Sequence, residues 1–305
     1  MAGHDIPILR YTNKPKEDPI WNEIFGQTFH SDYVKNVFLR PNGEPVNLYN
    51  LYRGQTCYLI CRGPSLGSYL EDKETYNLLM NDKIVKYCIN DSPDCIDYNC
   101  QLYSCTDKPI KFNKNIWKNP NIMKIVSKNR VMSTNNMANQ RMQIAYNEGK
   151  NQVHISTCPN LFALYTYIID SKDVDNIDFV HSYFSSPAVL YGYHNGIKST
   201  FLVALKVAML LGFDKIVLVG VDFNMKNENP YYGKDNKSYP KFHIQHNKKL
   251  YDTTAPLISN ICRYLDEGKG AYECKIVSAK KINAISNISE INLKEMLKKD
   301  IDEYK

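Results

Sequence analysis

From Ser199 to Val221 the sequence reads STFLVALKVAMLLGFDKIVLVGV. Its first half is apolar on every side, broken only by Lys206, and lacks a β-branched bias. That pattern predicts a buried helix. Gly212 follows as the left-handed terminator, within Gly212-Phe213-Asp214-Lys215. Ile216–Val221 is then an unbroken apolar run, as expected of a parallel strand buried on both faces. A helix feeding such a strand commits the chain to an α/β class with a mainly parallel sheet and helices on both faces.

The rest of the chain repeats the theme. Thr56–Cys61 is a short apolar run closed by the turn Arg62-Gly63-Pro64-Ser65-Leu66-Gly67 and a helical segment to about Asn81. Further strands are expected at Ile84–Ile89, Cys100–Cys105, Ile122–Val126 and Cys274–Ser278. Helices are expected at Thr253–Glu267 and Ser289–Lys299. Residues 1–50 read as an N-terminal extension with one amphipathic helix near Trp21–Phe29. Residues 51–285 form a Rossmann-like domain, and 286–305 a C-terminal helix. The Asn-rich stretch 127–150 reads as a lid-like segment.

Of the 305 residues, 43% are hydrophobic and 23% charged, which excludes disordered, collagen-like and coiled-coil chains. The apolar stretch Phe201–Leu211 is too short to span a bilayer, and no secretory leader is visible, so a cytoplasmic protein is expected. Its nine cysteines are expected to be thiols, since Cys57 with Cys61 and Cys95 with Cys100 and Cys105 lack zinc-knuckle spacing. A net charge of +6 leans towards anionic ligands without naming one. The lysines between Lys234 and Lys249 form either a solvated loop or an anion-binding one.

Ligands of open parallel sheets bind beyond the carboxyl ends of the strands. The sequence places Arg62-Gly63-Pro64-Ser65, Asn90-Asp91, Thr106-Asp107 and Asp222-Phe223-Asn224 there. In the first loop Gly63 allows close backbone approach, Pro64 fixes the turn, Ser65 can cap the next helix and Arg62 offers a fork for phosphate. It is neither a dinucleotide fingerprint nor a Walker loop. Ser199 or Thr200 can cap the buried helix at its positive end. Tyr231, Tyr232, Tyr239, His243 and His246 crowd one polar segment, where a phenol can donate to an oxyanion and a histidine can act as base, bind metal or simply face water.

Taken together, the Gly63-Pro64-Ser65-Leu66 loop, Asn90 after the next strand, and the Ser/Thr-headed helix running into Leu211–Phe223 resemble one superfamily. It joins the 6-hydroxymethylpterin diphosphokinase-like proteins to the bacterial family 42 sialyltransferases and the flagellin-modifying motility-associated factors. The resemblance covers about residues 55–280 and implies a GT-A-like variant of the Rossmann-like fold. Phe242-His243-Ile244-Gln245-His246 is similar to the sialyltransferase catalytic segment, which implies His246 as general base, with His243 where the family has Tyr. Tyr231 or Tyr232 matches the second of two family tyrosines that steady the leaving phosphate, and Asn224 stands at the first. Arg62 stands in place of the glycine-loop Asn, Asn90 matches the second nucleotide-binding Asn, and Asp107 stands for the third.

The resemblance therefore implies a glycosyltransferase that moves a sugar from a nucleotide-sugar donor to a hydroxyl acceptor, a glycan or a hydroxylated DNA base. Arg62, Gly63, Pro64, Ser65, Asn90, Asp107, Ser199, Thr200, Asp222 and Asn224 would hold the nucleotide, with no metal required. Two alternatives stay open. One is diphosphoryl transfer from ATP to a pterin-like hydroxymethyl group, with Mg²⁺ on Asp222, Asp107 or Asp91. The other is a non-catalytic binder of nucleotides or nucleic acid. Asp173-Val174-Asp175 reads as a solvated loop, and the aromatic N-terminal segment offers a surface for a homo-oligomer.

Overall fold

The computed structural model describes residues 8–9, 37–131, 143–145, 152–169, 176–185, 189–193, 199–223, 232–233, 241–269 and 272–304. The strands are β1 (Ile8–Leu9), β2 (Phe38–Leu39), β3 (Pro45–Val46), β4 (Thr56–Ile60), β5 (Val85–Ile89), β6 (Leu102–Ser104), β7 (Met123–Ser127), β8 (Gln143–Ala145), β9 (Gln152–His154), β10 (Leu161–Leu164), β11 (Thr166–Ile169), β12 (Val189–Tyr193), β13 (Lys215–Val219), β14 (Lys275–Ser278) and β15 (Ser289–Glu290). The helices are α1 (Ser65–Glu71), α2 (Lys73–Leu79), α3 (Lys114–Lys118), α4 (Lys128–Val131), α5 (Asn176–Ser185), α6 (Thr200–Leu210), α7 (Lys241–Asp266) and α8 (Leu293–Glu303). The chain falls into two compact units, residues 1–51 with 103–211 and residues 52–102 with 212–305.

In the second unit the strand order is β15-β14-β13-β4-β5, with all pairs parallel. Every residue of β5, and all but the first of β4 and β13, is buried. Burial without alternation means that both sheet faces are covered, which is why these segments read as continuous apolar runs. Tyr58 of β4 donates its phenol to Asp300 of α8 at 2.7 Å, and burial and this carboxylate both push the phenol's pKa upward.

In the first unit β7 and β10 pair in parallel, and β2 and β3 extend that sheet antiparallel from β10. Thus part of the segment read as an N-terminal extension supplies sheet strands. β1, β11 and β12 form a separate parallel sheet, and β8 pairs with β9. All eleven residues of α6 are buried, Lys206 included. The Lys206 ammonium donates to the Tyr183 carbonyl at 2.7 Å and lies 5.4 Å from that tyrosine's ring centre.

Two other buried lysines share a local device. In Asn81-Asp-Lys-Ile84-Val-Lys86 the Lys86 ammonium donates to the carbonyls of Asn81 (3.0 Å) and Ile84 (3.1 Å). In Asn119-Pro-Asn-Ile122-Met-Lys124 the Lys124 ammonium does the same to Asn119 (2.5 Å) and Ile122 (3.0 Å), and adds Pro159 (2.8 Å). In each, the asparagine side chain accepts an N–H two residues on, closing the turn that precedes the strand.

Several elements differ from expectation. The helical segment after Ser65 is two short helices, because Asp72 adopts an extended conformation and caps the second one through the Thr75 N–H (3.3 Å) and hydroxyl (2.5 Å). The last helix starts at Leu293 rather than Ser289, since the Asn292 side chain caps it by accepting from Lys294 and Glu295. The helix expected from Thr253 begins at Lys241, with Pro256 inside it. The Thr254 hydroxyl donates to the Leu250 carbonyl four residues back, within this helix. Of the expected lid-like stretch, 128–131 is helix and 143–145 is strand. The expected helix near Trp21 and the Asp173–Asp175 loop lie outside the described residues. No helix among the described residues is long and apolar enough to cross a membrane.

Burial lowers the ammonium pKa of Lys206 to about 7 and that of Lys86 to about 8. From about pH 7 upwards the unfolded chain therefore binds more protons at these sites than the folded one, and stability rises with pH. Below pH 7 the gain is absent. Above about pH 9 the buried thiols of Cys57 and Cys88, raised by burial, oppose it because unfolded thiols ionise first. Urea midpoints should climb between pH 6.5 and 8.5. Lys206→Met should flatten the climb and stabilise the protein at pH 6.5 by about 2 kcal/mol; an unchanged slope in that variant would refute the assignment.

Candidate functional site

Beyond the last residues of β4 and β13 the two chains stay hydrogen-bonded: Cys61 N–H to the Val219 carbonyl and Gly63 N–H to the Gly220 carbonyl, both at 2.8 Å. Gly220 has φ +69°, and a Cβ there would overlap the Cys61 carbonyl. A Cβ on Gly63 would overlap the Asp222 carboxylate and the Gly220 carbonyl. The close approach that Gly63 permits is thus used by the protein itself. Asp222, 10% exposed, accepts the Ser65 N–H at 2.9 Å, and Lys280, two residues past β14, reaches its other oxygen at 3.4 Å.

The backbone donors from Gly63 to Gly67 are committed. Besides Gly63 and Ser65, the Leu66 N–H donates to Gly63 and the Gly67 N–H to Pro64. Pro64 has no N–H and occupies the capping position of α1 without a side-chain cap, so the capping role expected of Ser65 is not taken up. The phosphate cradle expected of Gly63, Pro64 and Ser65 has no backbone donor to offer. Arg62 is spent as well. Its guanidinium donates to the carbonyls of Tyr232 (2.7 Å), Asp91 (3.2 Å) and Gly233 (3.4 Å), and pairs with the carboxylates of Asp91 (3.5 Å) and Asp94 (3.8 Å). The phosphate fork of the sequence reading is a staple: it holds residues 232–233 against the loop, helped by Tyr232 N–H to the Arg62 carbonyl at 3.0 Å. The Tyr232 ring packs on Gly67, only 2.8 Å from where a Cβ would lie.

Three polar groups around this rim are free. The Ser65 hydroxyl is buried without a partner. The Asn90 amide and the Tyr232 phenol make no hydrogen bond with a described residue. Asn90 follows β5 in the left-handed region, φ +53°, a conformation asparagine tolerates better than most residues. Phe223, just after Asp222, has φ +46°, a strained setting for an aromatic side chain, and its ring meets Tyr251 edge-on at 5.3 Å.

The first unit holds the remaining described candidates apart from His243 and His246, which belong to the second. Thr106 and Thr200 share a hydroxyl–hydroxyl bond of 2.6 Å, and Asp107 pairs with Lys111 at 2.9 Å. Ser199 is at the capping position of α6, but its side chain makes no cap bond. Arg130, in α4, donates to the Thr106 carbonyl at 2.9 Å. His243 and His246 are in α7, three positions apart on regular helix rather than in a loop. Tyr231, Tyr239 and Asn224 lie outside the described residues. Among the described residues no group of three or more His, Cys, Asp or Glu side chains could hold a metal ion. The nine cysteines are unpaired thiols.

Sequence reasoning missed Asp94, Lys280 and Arg130. Lys280 was within reach, because it follows a strand exit as Asp222 does. Asp94 and Arg130 carry no motif, and only their contacts identify them. Compared with protein-family models, with curated proteins and with solved structures, the chain finds no match.

Gly63→Ala should cost about 2 kcal/mol from overpacking, and adding Asp222→Gly should not rescue it, because the Gly220 carbonyl still blocks the new methyl. Arg62→Leu should cost about 3 kcal/mol by removing its charge-assisted bonds to the carbonyls of Asp91, Tyr232 and Gly233, whereas Lys280→Ala should cost about 1 kcal/mol, since its ammonium is exposed while Asp222 keeps the Ser65 N–H. Equal losses at Arg62 and Lys280 in urea titrations would overturn the staple assignment.

Proposed function

We propose that the chain is a transferase that uses a nucleotide-sugar donor, in line with its resemblance to the sialyltransferase-like superfamily. The observation that carries this reading is the trio of unengaged polar groups, Ser65, Asn90 and Tyr232, around Asp222 at the carboxyl ends of parallel strands. Neutral donors and acceptors of this kind suit the hydroxyls and base edge of a nucleotide sugar. In the proposed reaction His246 takes the proton of an acceptor hydroxyl, on a glycan or a hydroxylated DNA base. The oxygen bonds to the anomeric carbon, and the bond from that carbon to the donor phosphate breaks with its electrons leaving on the phosphate. Tyr232, with Tyr231 as its neighbour, donates to the departing oxygen. A GT-A-like arrangement, with 127–150 acting as a lid, belongs to the same reading.

The diphosphokinase alternative needs carboxylates for Mg²⁺, and those expected are engaged: Asp91 with Arg62, Asp222 with Lys280 and Ser65, Asp107 with Lys111. A thermal-shift panel of CMP-, UDP-, GDP- and dTDP-sugars, and ATP with and without Mg²⁺, tests the choice, because a ligand of the native state raises its melting temperature. A nucleotide sugar should stabilise the protein without metal. Its turnover should fall about a hundredfold or more in His246→Ala. Stabilisation by ATP and Mg²⁺ alone would favour the kinase, and nucleotide binding with turnover indifferent to His246 would favour the non-catalytic binder.

A further inference from the structure

The second unit has a cavity of about 540 Å³ at the amino ends of β4, β5 and β13, bounded by the last turns of α8. The ends of a five-residue strand lie about 13 Å apart, so this cavity is distinct from the Gly63 rim at the opposite ends of β4 and β13. Its volume suits a small molecule.

Six of the lining side chains are charged: Lys83, Lys215 and Lys299 against Asp214, Asp300 and Glu303, so the lining has no net charge. Four of the six are engaged. Lys299 pairs with Glu303 at 3.8 Å, and Asp214 accepts the Gly54 N–H at 3.0 Å. Lys83 donates to the Ile301 carbonyl at 3.2 Å, with its ammonium 5.7 Å from the centre of the Tyr304 ring.

Lys215 and Asp300, both half-buried, are the two without an opposite charge. The Lys215 ammonium meets the Met296 sulfur at 4.0 Å, a weak acceptor. Asp300 accepts the Tyr58 phenol at 2.7 Å. Among the described residues neither has an ion-pair partner, and they do not pair with each other.

The fold nevertheless aims both at one space. Lys215 pairs with Thr56 and Val217 with Tyr58, so Lys215 and Tyr58 leave the same face of the sheet. Met296 and Asp300 are four residues apart on α8 and share one face of that helix. The Lys215–Met296 and Tyr58–Asp300 contacts dock these faces. A charge drawn from water without a counter-charge is costly, and here one of each sign is left so. A simple anion would meet three carboxylates, and a simple cation three ammonium groups. A molecule with one charge of each sign matches the pair.

We propose that this cavity binds a small zwitterion of the amino-acid or dipeptide class, its carboxylate on Lys215, its ammonium on Asp300 and its side chain along the Tyr304 ring. The site stands apart from the strand exits and does not rest on the transferase reading.

The test is calorimetric titration of the full chain with L-phenylalanine and with glycyl-L-phenylalanine, at least one of which should bind. Acetylating the amine or amidating the carboxylate of the binder should each weaken it about tenfold, the loss expected of one charge-assisted contact. Lys215→Met keeps the apolar stem, and Asp300→Asn keeps an acceptor for the Tyr58 phenol; each should weaken the zwitterion about tenfold. Lys215→Met should leave the affinity of the amidated compound unchanged, since its partner group is already gone. Should Lys215→Met fail to fold, Asp300→Asn tests the site in the same way against the acetylated compound. Binding of neither zwitterion, indifference to removal of either charge, or native affinity in the variants overturns the proposal.

Discussion

The carboxyl end of the second unit's sheet is organised by the fit of the Asp222 carboxylate against Gly63. β4 and β13 run in register from Thr56 and Lys215 to Ile60 and Val219, so their exits emerge side by side. Continuing the hydrogen bonding past the strands leaves no room for a Cβ at Gly63 or Gly220. Into that gap goes a carboxylate nine-tenths buried, and a buried charge must be satisfied or it destabilises the fold. The Ser65 N–H and the Lys280 ammonium do so. With Ser65 fixed the loop has no freedom to re-aim its N–H groups, and α1 starts where the carboxylate puts it. Two glycines that look like ligand-approach residues are the condition for packing two strand exits.

The same rule, that a charge taken from water must find polar partners, governs the three buried lysines. Lys86, Lys124 and Lys206 are each fully buried, and each ammonium meets backbone carbonyls. For Lys86 and Lys124 those carbonyls belong to the turn just before the strand. The ammonium thus ties turn to strand and fixes where the strand begins. Methionine would fill the volume without that tie. Lys206 differs, being set in an apolar helix with the Tyr183 carbonyl and aromatic faces beside it, and burial lowers its ammonium pKa further than that of Lys86.

What the sequence made legible follows from what is local. Thr56–Ile60 and Ile216–Val219 are visible because burial on both faces leaves no polar alternation. Gly212 is visible because its φ of +82° is one that few residues adopt. The cap residues Asp72 and Asn292 were also in plain view, but a polar residue ahead of a helical pattern reads equally well as part of the helix. The partners of Arg62 are not legible in the sequence, because they are Asp94 and the carbonyls of residues 232 and 233, none of them its neighbour along the chain. The paired Asn-x-x-Ile-x-Lys segments went unnoticed for another reason: two copies without a fixed spacing mimic chance until their hydrogen bonds are seen to match.

Charge accounting at the two sets of strand ends sharpens what each can bind. Among the described side chains around Gly63, Arg62 and Lys280 face three carboxylates, Asp91, Asp94 and Asp222. Such a rim has no surplus positive charge, and the N–H groups of Gly63, Ser65, Leu66 and Gly67 are used, so a phosphate there leans on neutral donors such as the Tyr232 phenol. Its open groups are a hydroxyl, an amide and a phenol, which match hydroxyls and base edges. Around Thr106 the balance reverses: Arg130 has donors to spare, Asp107 is neutralised by Lys111, and a helix begins without its cap. An arginine at a strand exit therefore does not by itself mark a phosphate site. The donors its neighbours have left unused decide that, and around the glycine loop those are the Ser65 hydroxyl, the Asn90 amide and the Tyr232 phenol.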